Sequence, residues 1–511
     1  VSTEICGDGI DQDCNGSDLF CSGLDSDRDG FQVGVDCDDA NSRIYPGRSV
    51  ECSSSCGRGT KTCKTNGSYS PCSCTPLCEA TGSGRCYYVA AASGSDNSNG
   101  TFNAPWKTLR NLASYYSGSD APSNAVNLSP GDVVYLIGDY YRDTYEYDGS
   151  KHAIVLRNIN GTASNPITIK AYPEGSVPLI WPIDRATGMW IFQSSYIILD
   201  GIEISGAYQQ GLLLEESSNI KLQNIRIHDT DGVDNDNIAG LRVVDVRNLE
   251  VHHSAFHDNY DRTNADTQGM KTENSRNIVL FGGGGIVRFH HNVIYHTQNI
   301  GVDKTGSCLA YKHAASIPNS VFEVDNNVFT NCFFESVGSG TNNSRIHHNL
   351  IIDSDPIKIM NHGGVTNIDN ILIENNTSVG NIGLYYQPSS EYNPLGLLTY
   401  RKNIVVDTGA YSQERGIVTV DPYGDDSTYD DVVAGGKISI DNNCYFNPRA
   451  SLRWALFAAN GGNYGIKGAL HNFQSWQQVG FDTHSATLDP QLDSSHFPHN
   501  STCANYGHLA K

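Results

Sequence analysis

One short pattern recurs nine times between residues 197 and 446 and limits the possible folds more than any other feature of the chain. Each copy alternates apolar and polar residues, passes through a small or polar residue, and continues into a second apolar run. Successive copies lie 22 to 40 residues apart. A repeat of this length with strand-like alternation is typical of a solenoid, in which equivalent residues of neighbouring coils lie about 4.8 Å apart. Aligning the copies places these residues in one column: Gly201, Asn224, Ser254, Asn292, Asn327, Asn349, Asn376, Asn403 and Asn443.

We interpret the asparagine column as structural. Asn at a tight turn tolerates left-handed backbone angles, and its amide can bond to its counterparts above and below. Histidine pairs precede the column on three coils, and one histidine of each pair is expected to face outward in a row of His253, His291 and His348. A role in lining the turn is favoured for this row, and metal binding stays open.

The composition and net charge limit the possible folds and the possible binding partners. The chain has 511 residues, with 51 glycines and 18% charged residues, which suits one long solenoid plus a small module. The formal net charge is -22. This charge argues against nucleic acid and anionic membranes as partners. A polyanionic substrate requires a bound cation or a local basic patch.

The cysteines indicate an oxidising compartment. Eleven of the 15 cysteines lie before residue 87, which predicts a disulfide-rich, secreted or extracellular module. No apolar run approaches the roughly 20 residues that span a bilayer. The start at Val1 resembles a processed mature terminus. Eleven is an odd number, so one of these cysteines is free or pairs outside the module.

An acidic loop near the N-terminus has the spacing of a calcium site. Asp25, Asp27 and Asp29 stand at positions 1, 3 and 5, Gly30 stands at 6, and Asp36 stands at 12. Carboxylates at these positions, with Gly at the sharp turn, supply the oxygen ligands of Ca²⁺. The alternative is a solvated acidic turn.

A second, less complete loop precedes it, with Asp11, Asp13 and Asn15 in the same pattern. Residues 4 to 47 resemble the metal-binding repeats of secreted bacterial proteins and thrombospondin type 3 calcium repeats. That resemblance implies a calcium-stabilised, disulfide-linked spacer or adhesion element. For the cysteines that follow, from Cys52 to Cys74, disulfides are favoured over zinc, because no histidine falls at ligand spacing.

The segment from Cys86 to Tyr116, which contains GSDNSNGTFNAPWKTL, and the segment from Phe473 to Leu492 carry a second resemblance. They resemble the capping and closing segments of right-handed parallel β-helix proteins of the polysaccharide-lyase and carbohydrate-processing type. The expected fold is therefore an all-β right-handed parallel β-helix over residues 87–511, behind a module at 1–86. The cap is expected at about 87–145 and the closing segment at about 444–511. Cys308 with Cys332, and Cys444 with Cys503, are candidates for disulfides.

A second strand per coil is predicted upstream of the asparagine column. Its inward residues are predicted as follows: Leu212, Leu241, Met270, Leu309, Phe334, Ile357 and Leu384. Alternation then turns these residues outward: Arg242, Lys271, Ala310, Glu335, Lys358 and Tyr385, with Glu273 and Lys312 one step further along. The charged ones form a stripe across the stacked coils: Arg242, Lys271, Glu273, Lys312, Glu335 and Lys358.

A basic groove on an acidic protein suits an acidic glycan, so the favoured hypothesis is a polysaccharide lyase that cleaves a uronate-containing glycan. β-Elimination needs a base, for which Lys271 and Lys312 are candidates. It also needs neutralisation of the uronate carboxylate, for which Arg242 is the candidate. Substrate contacts are assigned to Glu273, Glu335, Lys358 and Tyr385.

Two alternatives stay open. Asp229 and Asp231 superficially resemble one polygalacturonase motif, but the other motifs of that family do not follow at suitable places. The second alternative is a non-catalytic surface adhesin or filament subunit, with the β-helix as a rod and the calcium module as a joint that mediates self-assembly. Charges on the solvent face of a strand often serve solubility alone.

Overall fold

The computed structural model describes residues 31, 34–54, 57–73, 76–115, 121–232, 238–260, 275–297, 306–312, 319–360, 368–380, 382–387, 396–408, 416–421, 435–449, 452–456 and 469–510. Two compact units divide the chain. The first consists of residues 1–79 with 173–175, and the second of residues 80–172 with 176–511.

The described part of the first unit is a disulfide-linked hairpin. Strands Ser49–Ser54 and Gly57–Thr62 pair antiparallel, and the bonds Cys37–Cys63 and Cys52–Cys72 tie this region together. Disulfides rather than zinc are thus confirmed for these cysteines. Six predicted calcium ligands lie outside the described residues: Asp11, Asp13, Asn15, Asp25, Asp27 and Asp29.

The second unit is built from three long sheets, and each coil contributes one strand to each sheet. The first sheet has 13 strands in the described chain: Tyr145–Tyr147, Ser150–Arg157, Thr187–Phe192, Gln210–Glu215, Ala239–Val244, Arg276–Phe281, Ser307–Lys312, Val337–Ser339, Ile357–Met360, Leu384–Gln387, Val418–Val420, Trp454–Leu456 and Ala469–His471. The second has 12: Cys86–Val89, Val133–Leu136, Ile167–Ala171, Ser195–Asp200, Ser218–Gln223, Arg247–His252, Gly284–His290, Val321–Asp325, Ser344–His347, Ile371–Glu374, Leu398–Arg401 and Ile438–Asp441. The third also has 12: Tyr140–Tyr141, Leu179–Ile180, Glu203–Ser205, Arg226–His228, Ala255–His257, Val293–Tyr295, Val328–Thr330, Leu350–Ile352, Thr377–Val379, Ile404–Val406, Cys444–Phe446 and Ala486–Thr487.

Neighbouring strands from successive coils pair parallel, and antiparallel pairs close the first sheet at both ends. Parallel strands joined by crossovers wind right-handed. The predicted fold class, an all-β right-handed parallel β-helix, is confirmed. In the described residues no helix is long and apolar enough to span a membrane.

The core is a stack of inward side chains, one layer per coil. In the first sheet, Leu212, Leu241, Ile278 and Leu309 are paired in register and fully buried. The column continues through Val337, Ile357 and Leu384. Two predicted members were therefore wrong. Ile278 stands at the place predicted for Met270, which lies outside the described residues, and Val337 stands at the place predicted for Phe334.

The asparagine ladder is confirmed from Ser254 onward. Each amide oxygen accepts the backbone N–H of the ladder residue one coil earlier, as Asn349 Oδ1 does from Asn327 N at 3.0 Å. Each amide nitrogen donates to a backbone carbonyl, as Asn349 Nδ2 does to Val324 O at 2.8 Å. These buried bonds satisfy backbone groups that water cannot reach.

The predicted column was wrong in two respects. Ile202 and Ile225, rather than Gly201 and Asn224, stand in the ladder position on the first two coils, since Ile225 N bonds to Ser254 Oγ at 3.1 Å. The left-handed conformation belongs to the residue before the ladder. That left-handed column consists of Gly201, Asn224, His253, His291, Asn326, His348, Asn375, Lys402 and Asn442.

The C-terminal segment closes the last coil. Helix Phe473–Gln478 buries Trp476, whose indole N–H donates to Asp482 at 2.8 Å. Asp482 also accepts from Asn443 Nδ2 and therefore ends the ladder. The bond Cys444–Cys503 ties down the chain end, and Cys308–Cys332 links adjacent coils.

At the N-terminal end of the coils, Trp106 is fully buried and its indole N–H donates to Ser98 O at 2.9 Å. A 3-10 helix, Leu109–Leu112, follows it and is capped by Thr108.

Candidate functional site

The outward face of the first sheet carries the predicted stripe. Cross-strand pairing runs from Arg242 through Val279, Ala310 and Gly338 to Lys358. Tyr385 is the next member of this column. Four of the predicted members, Arg242, Ala310, Lys358 and Tyr385, are therefore aligned as the alternation pattern predicts.

The register differs from the prediction on two coils. Val279 occupies the column on the coil for which Lys271 was predicted, and Lys271 and Glu273 lie outside the described residues. Gly338 occupies the position predicted for Glu335. Because strand Val337–Ser339 begins two residues after Glu335, that carboxylate comes from the turn that precedes the strand.

Lys312 lies in a neighbouring outward column, in register with Phe281 and Val244. The Arg242 guanidinium lies 5.5 Å and the Lys312 ammonium 6.0 Å from the centre of the Phe281 ring. The coils on either side of Phe281 thus each bring a cation to one aromatic ring. Lys312 is only 7% exposed, so this cation is held at the sheet surface rather than in bulk solvent.

A buried ion pair supports this face. Glu335 Oε1 accepts a hydrogen bond from Arg276 Nε at 3.0 Å, with side-chain exposures of 0% and 1%. A Cβ atom at Gly338 would clash with the Glu335 carboxylate, so this carboxylate lies directly over the sheet at that glycine. Glu335, which was predicted to contact substrate, is buried against Arg276.

The turn that supplies Glu335 is strained. Phe334 has a φ of 69°, a left-handed conformation that is unfavourable for a bulky residue. Its backbone N–H donates to Asp355 Oδ2 at 2.6 Å. Its ring lies 3.6 Å from the Lys358 ammonium, within cation–π distance. Such strain often marks a functional site, and here it places an aromatic ring beside a second lysine.

Tyr385 extends the stripe toward the C-terminus. Its ring lies 5.5 Å from the Lys358 ammonium, and its hydroxyl donates to Asp421 Oδ2 at 2.5 Å. Aromatic rings continue in the other direction as well, because Trp190 and Phe192 stack at 5.2 Å on the same sheet. The stripe is therefore both cationic and aromatic.

One carboxylate on this face has a perturbed pKa. Glu215 lies in the column of Phe281 and Lys312, and partial burial raises its pKa. Burial also lowers the pKa of Arg242, which the nearby Glu215 charge opposes. A carboxyl group with a raised pKa is suited to proton donation.

A second cluster lies on the second sheet. Glu323, Asp325 and His347 offer ligand atoms within 4.8 Å of one another. Arg288 already binds Asp325 through two hydrogen bonds, of 2.8 and 3.0 Å, and His347 Nε2 lies 3.2 Å from Glu323. These are the contacts of a charge ladder across strands, which stabilises a sheet without a metal.

The calcium prediction can be tested at Asp36. Asp36 is 8% exposed, and its Oδ1 accepts a hydrogen bond from Asp38 N at 3.2 Å. Its Oδ2 is buried and has no hydrogen-bond partner among the described residues. Because a buried carboxylate oxygen without a partner is costly, its environment fits a cation ligand.

Sequence reasoning missed the Arg276–Glu335 pair and the aromatic members of the stripe. Strand Arg276–Phe281 contains more apolar residues than one buried face requires. This excess could have indicated that Phe281 faces outward. No sequence signal indicates that Phe334 is left-handed or that Glu335 reaches Arg276 across 59 residues. Asp229, from the polygalacturonase-like motif, instead hydrogen-bonds to His228 at 2.6 Å.

Comparison with known proteins agrees on the coil architecture. Residues 148–311 match the family described as "Right handed beta helix region". A stretch of 155 residues is 32% identical to a lacto-N-biosidase of Bifidobacterium longum subsp. longum, and it covers 30% of this chain and 9% of that enzyme. The chain thus spans only a small part of the curated relative.

Two solved structures are similar at low identity. Pectate lyase Pel9A aligns with a TM-score of 0.43 and 18% identity, over 67% of this chain and 78% of that one. The PL6 family polysaccharide lyase Pedsa3628 from Pseudopedobacter saltans aligns with a TM-score of 0.38 and 12% identity, over 75% of this chain and 92% of that one.

Proposed function

We propose that this protein is a secreted, carbohydrate-active β-helix that cleaves a uronate-containing glycan by β-elimination. The observation that carries the proposal is the placement of Arg242 and Lys312 on either side of the Phe281 ring. The chain has a net charge of -22, so cations gathered on one sheet face supply the local attraction that an acidic polymer needs. Disulfides in both units favour an extracellular location.

The proposed chemistry assigns one step to each cation. The sugar ring stacks on Phe281, and Arg242 pairs with the uronate carboxylate, which acidifies the C5 proton. Lys312 first gives its own proton to water and then takes the C5 proton, the C5 electrons form the C4–C5 double bond, and the C4–O bond to the leaving sugar breaks. The leaving oxygen takes up a proton from water. Lys358 and Tyr385 contact adjacent sugar units.

The test is incubation of the full chain, with Ca²⁺ present, with pectate, alginate and glycosaminoglycans. The expected result is an increase in ultraviolet absorbance from the unsaturated product on at least one polymer. If no polymer yields product, and electron microscopy shows ordered assemblies that a chelator dissolves, the protein is instead a rod-like structural protein.

Glycoside hydrolysis is the second candidate function. It is favoured by the raised pKa of Glu215 and by the stretch shared with a lacto-N-biosidase. Hydrolysis would produce new reducing ends without the absorbance of an unsaturated product. If Glu215→Gln abolishes the formation of these reducing ends and Lys312→Ala does not, the reaction is hydrolysis rather than elimination.

In the proposed function the first unit binds calcium through the loop that ends at Asp36. We expect Asp36→Asn to weaken Ca²⁺ binding by at least about tenfold, because it removes a charged ligand oxygen. Calorimetric titration of the full chain measures this loss. Asp38→Asn, at an exposed neighbour, is the matched control and is expected to bind normally. Equal affinities of Asp36→Asn and the unchanged protein would contradict the assignment.

A further inference from the structure

The left-handed column before the asparagine ladder does not require histidine, yet the chain places histidine there three times. His253, His291 and His348 have φ values of 50°, 55° and 54°. Other coils use asparagine at the same position, as at Asn326 and Asn375. Because asparagine meets the same backbone demand, the turn alone does not account for the imidazoles.

Each of these histidines follows another histidine, and the pairs share one geometry. The two Nδ1 atoms lie 2.8, 2.9 and 2.8 Å apart in the pairs His252–His253, His290–His291 and His347–His348. Two ligand atoms that each lie about 2.0 Å from a metal ion, at a right angle, are about 2.8 Å apart, which is the cis spacing of tetragonal Cu²⁺ or Ni²⁺.

The first two pairs lie on adjacent coils and form a patch of four histidines. His252 stacks on His290 at 4.9 Å, and His253 stacks on His291 at 5.2 Å. His253 and His291 are exposed, and their partners are half-buried. We propose that this four-histidine patch binds one divalent transition metal ion, Cu²⁺ or Ni²⁺, through the two Nδ1 atoms of one pair.

A carboxylate orients the patch. Glu250 Oε1 lies 3.2 Å from His290 Nε2, and Lys221 Nζ lies 3.2 Å from Glu250 Oε2. A carboxylate that accepts the Nε2 proton fixes the tautomer in which Nδ1 has a free lone pair, the usual arrangement behind a metal-bound histidine. When the ion binds, the proton of the hydrogen bond between the two Nδ1 atoms moves to Nε2 of His291. Both imidazoles then stay neutral.

The proposal is independent of glycan cleavage, since the patch lies on the second sheet and the turn after it.

The test uses the full chain with His348→Asn, which removes the third histidine pair, and this protein is the parent of every variant compared. With Ca²⁺ at saturation, the parent and its variants are titrated calorimetrically with CuCl₂ or NiCl₂. The double variant His253→Asn/His291→Asn keeps residues that the turn accepts elsewhere. We expect this variant to bind one Cu²⁺ ion at least about tenfold more weakly. Either single variant leaves one pair intact and is expected to weaken binding by only about twofold.

His499→Asn is the matched control, since this exposed histidine lies on the C-terminal segment. Electron paramagnetic resonance of the Cu²⁺ complex is expected to show nitrogen coupling from two imidazoles that the double variant lacks. An unchanged thermal unfolding midpoint verifies that the double variant is folded. Cu²⁺ binding by a folded double variant equal to that of the parent would overturn the proposal, as would an equal loss in His499→Asn.

Discussion

Replacing Lys312 with alanine is expected to lower kcat for uronate elimination by about 10²- to 10⁴-fold, the usual contribution of a general base. The effect should fall mainly on kcat, because Lys312 is assigned to the proton transfer rather than to binding. Arg242→Ala is expected to lower kcat and raise KM together, since Arg242 pairs with a carboxylate present in both ground state and transition state. Initial rates of unsaturated product formation measure both variants.

Lys221→Ala is the matched control for Lys312→Ala. Lys221 lies on an outward strand position of the second sheet, is 36% exposed, and pairs with Glu250 at 3.2 Å. Its loss is expected to leave the rate unchanged. If Lys312→Ala retains activity while Lys271→Ala abolishes it, the base is Lys271 and the assignment of Lys312 is wrong. If neither variant loses activity, the stripe is not the catalytic site.

Replacing Glu335 with glutamine is expected to reduce the local free energy of unfolding by about 3–5 kcal/mol. The substitution keeps the shape of the side chain but removes the negative charge that pairs with Arg276, at a site where both side chains are almost fully buried. Hydrogen exchange of the amides in strands Ser307–Lys312, Val337–Ser339 and Ile357–Met360 measures the loss, because exchange reports local opening of these coils.

The matched control is Glu374→Gln. Glu374 Oε2 accepts from Arg401 Nε at 2.8 Å, a contact of the same chemistry, with side-chain exposures of 20% for Glu374 and 47% for Arg401. Solvent screening limits its expected cost to about 1 kcal/mol or less. Similar costs for the two substitutions would show that the buried Arg276–Glu335 pair stabilises these coils no more than an exposed pair does.

Much of the fold could be predicted from local pattern. Alternation gave the correct inward column at Leu212, Leu241 and Leu309, because inward side chains must be apolar on every coil. The same alternation aligned Arg242, Ala310 and Lys358 on the outward face.

The sequence pattern gave the wrong inward residue on coils where the loop length differs from that of other coils. Phe334 is an apolar residue at plausible spacing, but its strand begins later, at Val337. Ile278 takes the place that was predicted for Met270. Reading the asparagine column by residue type also misplaced its first two members by one position. The backbone angle, rather than the residue identity, sets the register at that turn.

The sequence by itself determined the solenoid, the asparagine spine and the disulfide-rich first unit, because each follows from a repeating or local requirement. Only the tertiary structure decided which side chains meet across coils: Arg276 with Glu335, two cations at Phe281, and histidine pairs stacked at 4.9 and 5.2 Å. These contacts join residues 31 to 59 positions apart. They depend on loop lengths that the repeat leaves unspecified, so the neighbours of a side chain are set by the winding of the chain rather than by its local pattern.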